Sequence, residues 1–280
     1  MDGSSNLFNR VLYQARRTRH AKEWPQYNFL KSAAAERIAD KLDDVARRFS
    51  LALDVGCHGG EVACAIRSKV DKVIRCDFSA AMQPGVVCDE EWLPFAAESF
   101  DLVTSALSLH HVNDLPGTLI QIQRCLRADG LFLAILPGAN TLKELRVSIT
   151  AVSAQQGFVL SPRLSPLVEI RDAGALLQRA GFALPVVDSE MLIVEYDSAW
   201  KLFQDVRFMG ESNVLNTQHK GFTSRTQLAA IAAYYEQHFG RNGVIPATVE
   251  FITLTGWKPH FSQQRPAKRG SAKVNLKTVL

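Results

Sequence analysis

The chain has 280 residues, of which 47% are hydrophobic and 21% charged, enough for one large domain with its own core and no need of a disulfide or metal staple. The sequence has no apolar run of the roughly 18 residues that a membrane-spanning helix requires, and its five cysteines form no CxxC pair, so neither a disulfide framework nor a zinc ribbon is suggested and a reducing compartment fits best. Net charge is +4, unevenly placed: residues 1–22 carry five Lys/Arg and one acid, and residues 251–280 carry six and none.

Two basic ends thus flank a net-acidic body. They read either as solvated ends or as surfaces for an acidic partner. Aromatic residues are not interleaved with these charges, which argues against nucleic acid. In chain order, a basic segment, 1–31, precedes a helix expected over 32–48, where Ala35, Ile38, Ala39, Leu42 and Val45 share one face. Strands are expected at 51–55, 72–76, 100–106 and 131–136, with helices at 61–68 and 114–126 between them. Asp114 is placed to cap the second of these, and Pro116 lies in its first turn. Strands alternating with helices predict an α/β fold with a parallel sheet.

The second half is less regular. Helices are expected at 141–155, 172–180, 199–209 and 224–238, an extended segment at 185–196 and a final strand at 247–257. Segments 141–165 and 199–245 have no place in a minimal alternating sheet, so they predict a cap over its carboxyl edge. The expected organisation is a basic N-terminal segment 1–31, a main domain 32–258 and a basic tail 259–280.

The strongest chemical signal is Leu51-Ala-Leu-Asp-Val-Gly-Cys-His-Gly-Gly60. An apolar strand ends in Asp54, and a turn with Gly56 and Gly60 then opens a helix, bringing backbone N–H groups to a ligand. Asp77 ends the next strand, where an acid accepts hydrogen bonds from both hydroxyls of a ribose. Asp89, Glu90 and the run to Phe95 form a third piece. A dinucleotide fingerprint would place glycine where His58 stands and would set Asp54 against a diphosphate. An acid there suits a ligand that carries an ammonium group. Past the fourth strand, Ser105, His110, Asn113 and Asp114 lie near the carboxyl edge, where ligands bind in open α/β sheets, and a histidine there suits general-base work.

Asp54-Val-Gly56-Cys-His58-Gly-Gly60, Asp77 and Asp89-Glu-Glu-Trp-Leu-Pro-Phe95 together resemble the class I methyltransferases, with His58 replacing a glycine of the pattern. That resemblance implies a Rossmann-like, seven-stranded, mostly parallel sheet with S-adenosylmethionine as cofactor. Asp54 would reach the methionine amino group, Gly56, His58 and Gly60 would shape the turn, and Asp77 would bind the ribose. Phe78 would flank the adenine, and Asp89, followed by Glu90, would accept its exocyclic amine.

A narrower set, Ser105-Ala-Leu-Ser-Leu-His110, Thr141-Leu-Lys-Glu-Leu-Arg146, Met209-Gly-Glu-Ser-Asn213 and Arg269-Gly-Ser-Ala272, resembles the complex I assembly factor 5 family of mitochondria and alphaproteobacteria. This implies a mitochondrial-matrix or bacterial cytoplasmic protein that hydroxylates an arginine on a Q-module subunit of respiratory complex I. A methyltransferase proper, including one esterifying malonyl-acyl carrier protein, and a non-catalytic assembly chaperone are the other readings. No metal site is read from spacing: His110, His111 and Asp114 are close in sequence, which does not make them converge. The tail is expected to dock through Arg265, Lys268 and Arg269, closing one side of the cap cleft.

Overall fold

In the computed structural model, residues 6–156, 166–217, 224–264 and 271 are described. The basic segment is structured: α1 (Arg10–His20) is capped by the Asn9 side chain, and a 3-10 turn (Trp24–Gln26) leads into α2 (Phe29–Asp43). α2 begins before the expected point and stops before Asp44, where two consecutive acids oppose the negative end of the helix dipole. There follow β1 (Phe49–Val55), α3 (Glu61–Ala65), β2 (Val70–Asp77), β3 (Val86–Val87), β4 (Phe100–Ala106), α4 (Leu115–Cys125), β5 (Leu126–Pro137), α5 (Lys143–Gln156), α6 (Ile170–Arg179), β6 (Ala183–Tyr196), α7 (Ala199–Phe208), α8 (Arg225–Phe239) and β7 (Ile245–Trp257).

The sheet has seven strands in the order β3-β2-β1-β4-β5-β7-β6. β1 to β5 are parallel to one another, and β7 runs antiparallel between β5 and β6. The order reverses between β1 and β4, the switch point where an open sheet leaves a crevice at its carboxyl edge.

Strand β1 is buried along Ala52 to Val55 and β5 along Gly130 to Leu136, the apolar runs of strands covered on both faces. One face carries a core around Val103, Phe132, Leu119 and Leu177, the other a core around Ile38, Leu42, Leu102 and Phe251. α5, α7 and α8 share a separate small core with Leu145, Leu202, Ile231 and Tyr235. Tyr196 and Ile245, paired at the end of the sheet beyond Pro137, also belong to it. The cap therefore sits over the carboxyl edge.

The tail leaves from the opposite edge, because Trp257 pairs with Leu131 at the start of β5. Gln263 still holds the body, donating to Asp129 Oδ1 and Lys258 O at 2.8 Å each. Arg265, Lys268 and Arg269 lie outside the described residues. The root of the tail thus sits at the far edge from the cleft that it was expected to close.

Candidate active site

The turn after β1 is built for close approach. Gly56 has φ +65, and a Cβ there would stand 1.9 Å from Ser108 Oγ, while Gly60 has φ +92. His58, also left-handed at φ 48, is buried and stacks on Trp24 with ring centroids 4.6 Å apart. That is why histidine is tolerated at a glycine position: its ring gains an aromatic partner that offsets the backbone cost. Burial, with Arg17 and Lys31 nearby, pushes its pKa well below the usual histidine value.

The acids expected to receive a cofactor are all present at the strand ends, and α1 lies across them. Arg17, 1% exposed, reaches Asp77 Oδ2 at 2.5 Å. The remaining acceptor capacity of Asp77 takes His58 N at 2.9 Å and Ser79 N at 2.8 Å. Arg10 pairs with Asp89 at 2.6 Å and with Glu90, and its guanidinium covers the Phe78 ring at 4.7 Å. Burial alone would raise the Glu90 pKa, yet Arg10 and Arg17 hold it below the ordinary value. Lys31 follows the same logic on α2: its ammonium donates to Gly56 O at 2.7 Å and Ala106 O at 2.5 Å. Arg10, Arg17 and Lys31 are thus not solvated, and residues 6–31 are not a separate appendage, because burial of a charge is tolerated only against a partner.

The segment is stitched in place at both sides. Phe8 N donates to Asn113 Oδ1 at 2.8 Å, Asn9 N donates to Val214 O at 2.7 Å, and Phe8 forms a bridge with Leu215. This gives Asn113 a holding role in place of the catalytic one expected. Asp114 is a helix cap, its Oδ1 accepting from Gly117 N at 2.8 Å, and it is exposed. Ser105 donates to Val55 O at 2.9 Å, tying β4 to β1. Of the four residues expected past β4, His110 alone faces the cleft.

His110 does not stand alone. Leu109–His111 is a 3-10 turn directly after β4, and it sets the two imidazoles side by side, centroids 4.1 Å apart. Glu211 arrives from the end of α7. There Gly210, at φ +82, closes the helix, with Gly210 N donating to Arg207 O and Glu211 N to Val206 O, the Schellman arrangement that fixes the chain direction after a helix. Glu211 Oε2 lies 2.9 Å from His110 Nε2 and 3.8 Å from His111 Nε2. Burial, reinforced by His110, lowers the His111 pKa to about 3. Burial of Glu211 opposes its ionisation, but the two histidines hold its carboxyl down at about 2.

These residues line a cleft enclosing about 1040 Å³ of empty space, its open mouth included, with Trp24, Tyr27 and Tyr196 in its walls. Sequence reasoning missed Glu211, Arg10, Arg17 and Lys31. Glu211 stood inside the Met209–Asn213 motif, but nothing local announces a partner so far along the chain.

The acceptors fit S-adenosylmethionine in kind. Asp54 Oδ2 is buried without a hydrogen-bond partner among the described residues, which suits an ammonium ligand, and Asp77 ends β2 while Asp89 follows β3. In this structure α1 supplies the donors of both acids, Arg17 to Asp77 and Arg10 to Asp89.

A family model described as a methyltransferase domain matches residues 53–134. The chain is 37% identical over 289 residues to the mitochondrial arginine-hydroxylase NDUFAF5 of Danio rerio, covering 97% of this chain and 88% of that protein. It is 33% identical over 251 residues to a malonyl-[acyl-carrier protein] O-methyltransferase of Methylovorus sp., covering 82% of each. Among solved structures, the YcgJ protein of Bacillus subtilis superposes with a TM-score of 0.55 at 19% identity, covering 80% of this chain and 98% of that one, a likeness of fold.

Proposed function

The chain belongs to the NDUFAF5 arginine-hydroxylase family, which has the methyltransferase fold, and from that premise we propose that it acts in the assembly of respiratory complex I by hydroxylating an arginine of a Q-module subunit. The observation that carries this reading is the cleft at the carboxyl edge. An arginine side chain joins an apolar stem to a planar cation, and aromatic faces receive both. Trp24, Tyr27 and Tyr196 supply such faces, and Glu211 is the anion among the lining residues. Lys31 and Arg146 also line it, but both are turned to backbone carbonyls: Lys31 to Gly56 and Ala106, Arg146 to Ala139 and Thr141. A malonyl carboxylate would call for cations facing the cleft.

S-adenosylmethionine binds at the strand ends in this reading, with Asp77 on the ribose, Asp89 on the adenine amine and Asp54 on the ammonium. When bound it supplies an electrophilic methyl group on sulfur. The chain's own residues do the rest: α1 closes the acids from water, Asn113 holds the segment that carries α1, and His110 and His111 line the cleft beside Glu211. Because Arg17 and the ribose compete for Asp77, Arg17→Gln should tighten S-adenosylmethionine about tenfold in titration calorimetry, one charge-assisted hydrogen bond being worth about 1.5–3 kcal/mol. The basic tail, 259–280, is assigned to an acidic face of the protein substrate, and the matrix or its bacterial equivalent, the cytoplasm, is the site of action.

The deciding experiment is mass spectrometry of the Q-module subunit from cells with and without the gene. A peptide lighter by one oxygen atom in the deletant supports hydroxylation. A loss of one methylene instead supports methyl transfer, and an unchanged peptide supports a chaperone role.

A further inference from the structure

We infer that His110, His111 and Glu211 form a binding site for one divalent first-row transition metal ion, ferrous iron in the working protein. Their ligand atoms all lie within 4.8 Å of one another. Two imidazole nitrogens converge on a single carboxylate oxygen, at 2.9 and 3.8 Å, separations that neighbouring ligands about 2.1 Å from a common ion would have. Two histidines and one carboxylate on one side of an ion leave the other positions open, which is the ligand set of non-haem iron oxygenases. Here the open side is the cleft, since all three residues line it.

The supports are rigid. The histidines are consecutive in a 3-10 turn anchored to β4, and His111 is packed against Phe8 and Tyr13, centroids 5.4 and 4.7 Å away. Glu211 is fixed by the α7 terminus. His110 Nδ1 is buried without a hydrogen-bond partner among the described residues, so the contact that fixes this ring is the one at Nε2. The charge balance also favours a cation. Arg10 and Arg17 are matched by Asp77, Asp89 and Glu90, whereas Glu211 faces only two imidazoles. Ligand placement of this kind is what a functional metal site requires.

The choice of iron rests on the hydroxylation reading; the site itself rests on the geometry. Insertion of oxygen into an arginine C–H bond consumes one O2, two electrons and two protons, yields the C–OH group and one water, and oxidises a two-electron donor of the ascorbate class. An iron centre beside the cleft places that chemistry where the side chain enters.

The test is anaerobic titration of the full-length, chelator-treated protein with Co2+ as a redox-stable probe, followed by competition with Fe2+. One equivalent of Co2+ should bind with a visible d–d band, Fe2+ should displace it, and the melting temperature of the wild type should rise with the metal. Glu211→Gln, at a half-buried and nearly isosteric position, should weaken binding at least tenfold while its circular dichroism matches the wild type. His110→Asn provides a second variant with the same expected loss. Absence of stoichiometric binding to the wild type overturns the site, and so does equal affinity in both variants. The partner's mass is read separately: metal bound without an oxygen mark leaves the site standing and removes the hydroxylation reading, and an oxygen mark without metal binding does the reverse.

Discussion

Two clusters of charge share the carboxyl edge of one sheet and differ in how they are compensated. At the β2 end, Asp77, Asp89 and Glu90 meet Arg17 and Arg10, buried groups paired within the chain. Beyond β4, Glu211 meets two histidines at the floor of an open cleft. The first cluster is closed by the protein itself and is a structural element until α1 moves. The second lines the open cleft. The lesson is that a cofactor motif marks where a ligand's anchors lie, whereas the site of chemistry is marked by the polar groups that the fold leaves facing a cavity.

The largest expected effect tests the closed cluster. Asp77→Ala strands the Arg17 guanidinium, 1% exposed, without its carboxylate, and removing one partner of a buried pair costs about 3–5 kcal/mol. Urea denaturation should show that loss, and the double variant Arg17→Met with Asp77→Asn should recover part of it, because no buried charge is left unpaired and the Asn oxygen still accepts from one of the two backbone N–H groups that Asp77 holds. A loss below about 1 kcal/mol in Asp77→Ala would mean that α1 is not held through this acid. The same variant would lose S-adenosylmethionine, so stability must be measured first to interpret its binding.

A smaller effect probes the boundary between the clusters. Burial raises the Asp54 pKa to about 7 although Lys31 beside it pulls the other way. The folded chain therefore binds this proton more tightly than the unfolded chain, whose aspartates titrate near pH ~4. Asp54's contribution to stability is complete below about pH 4 and is lost as pH rises through about 7, with a slope of at most about 1.4 kcal/mol per pH unit. Asp54→Asn, neutral at every pH, should flatten the stability profile between pH ~4 and ~7. A profile unchanged by the substitution would show that Lys31 keeps Asp54 ionised throughout.

The sheet was legible because its central strands are continuous apolar runs ending in punctuation: Asp54 then Gly56, Asp77, Ala106, Pro137. The antiparallel place of β7 came with the family pattern. β3 has two residues, too few for any period, and α1 was hidden because four of its eleven residues are arginines. Arginines read as solvated unless their partners are known, and the partners of Arg10 and Arg17 stand at least 60 positions away. The same distance hid the third member of the histidine cluster. His110 and Glu211 are separated by 101 residues, and the nearer acid, Asp114, was the natural candidate until the fold turned it outward.

Asp114 gives the smallest prediction and the sharpest contrast with Glu211. Its side chain accepts from Gly117 N at 2.8 Å in the first turn of α4, and a Cβ on Gly117 would collide with the Asp114 carboxyl at 2.1 Å, so the cap is tight as well as bonded. Loss of such a cap costs about 1 kcal/mol, which for a domain of this size lowers the melting temperature by about 2–4 °C. Asp114→Ala should therefore unfold slightly earlier and modify its protein substrate at the wild-type rate, while Asp114→Asn, which preserves an N-cap acceptor, should lose almost nothing. Glu211→Gln should do the opposite, keeping its melting temperature and losing turnover. If Asp114→Ala instead loses turnover at unchanged stability, the carboxylate that serves the two histidines is the near one after all, and the assignment of Glu211 must be withdrawn.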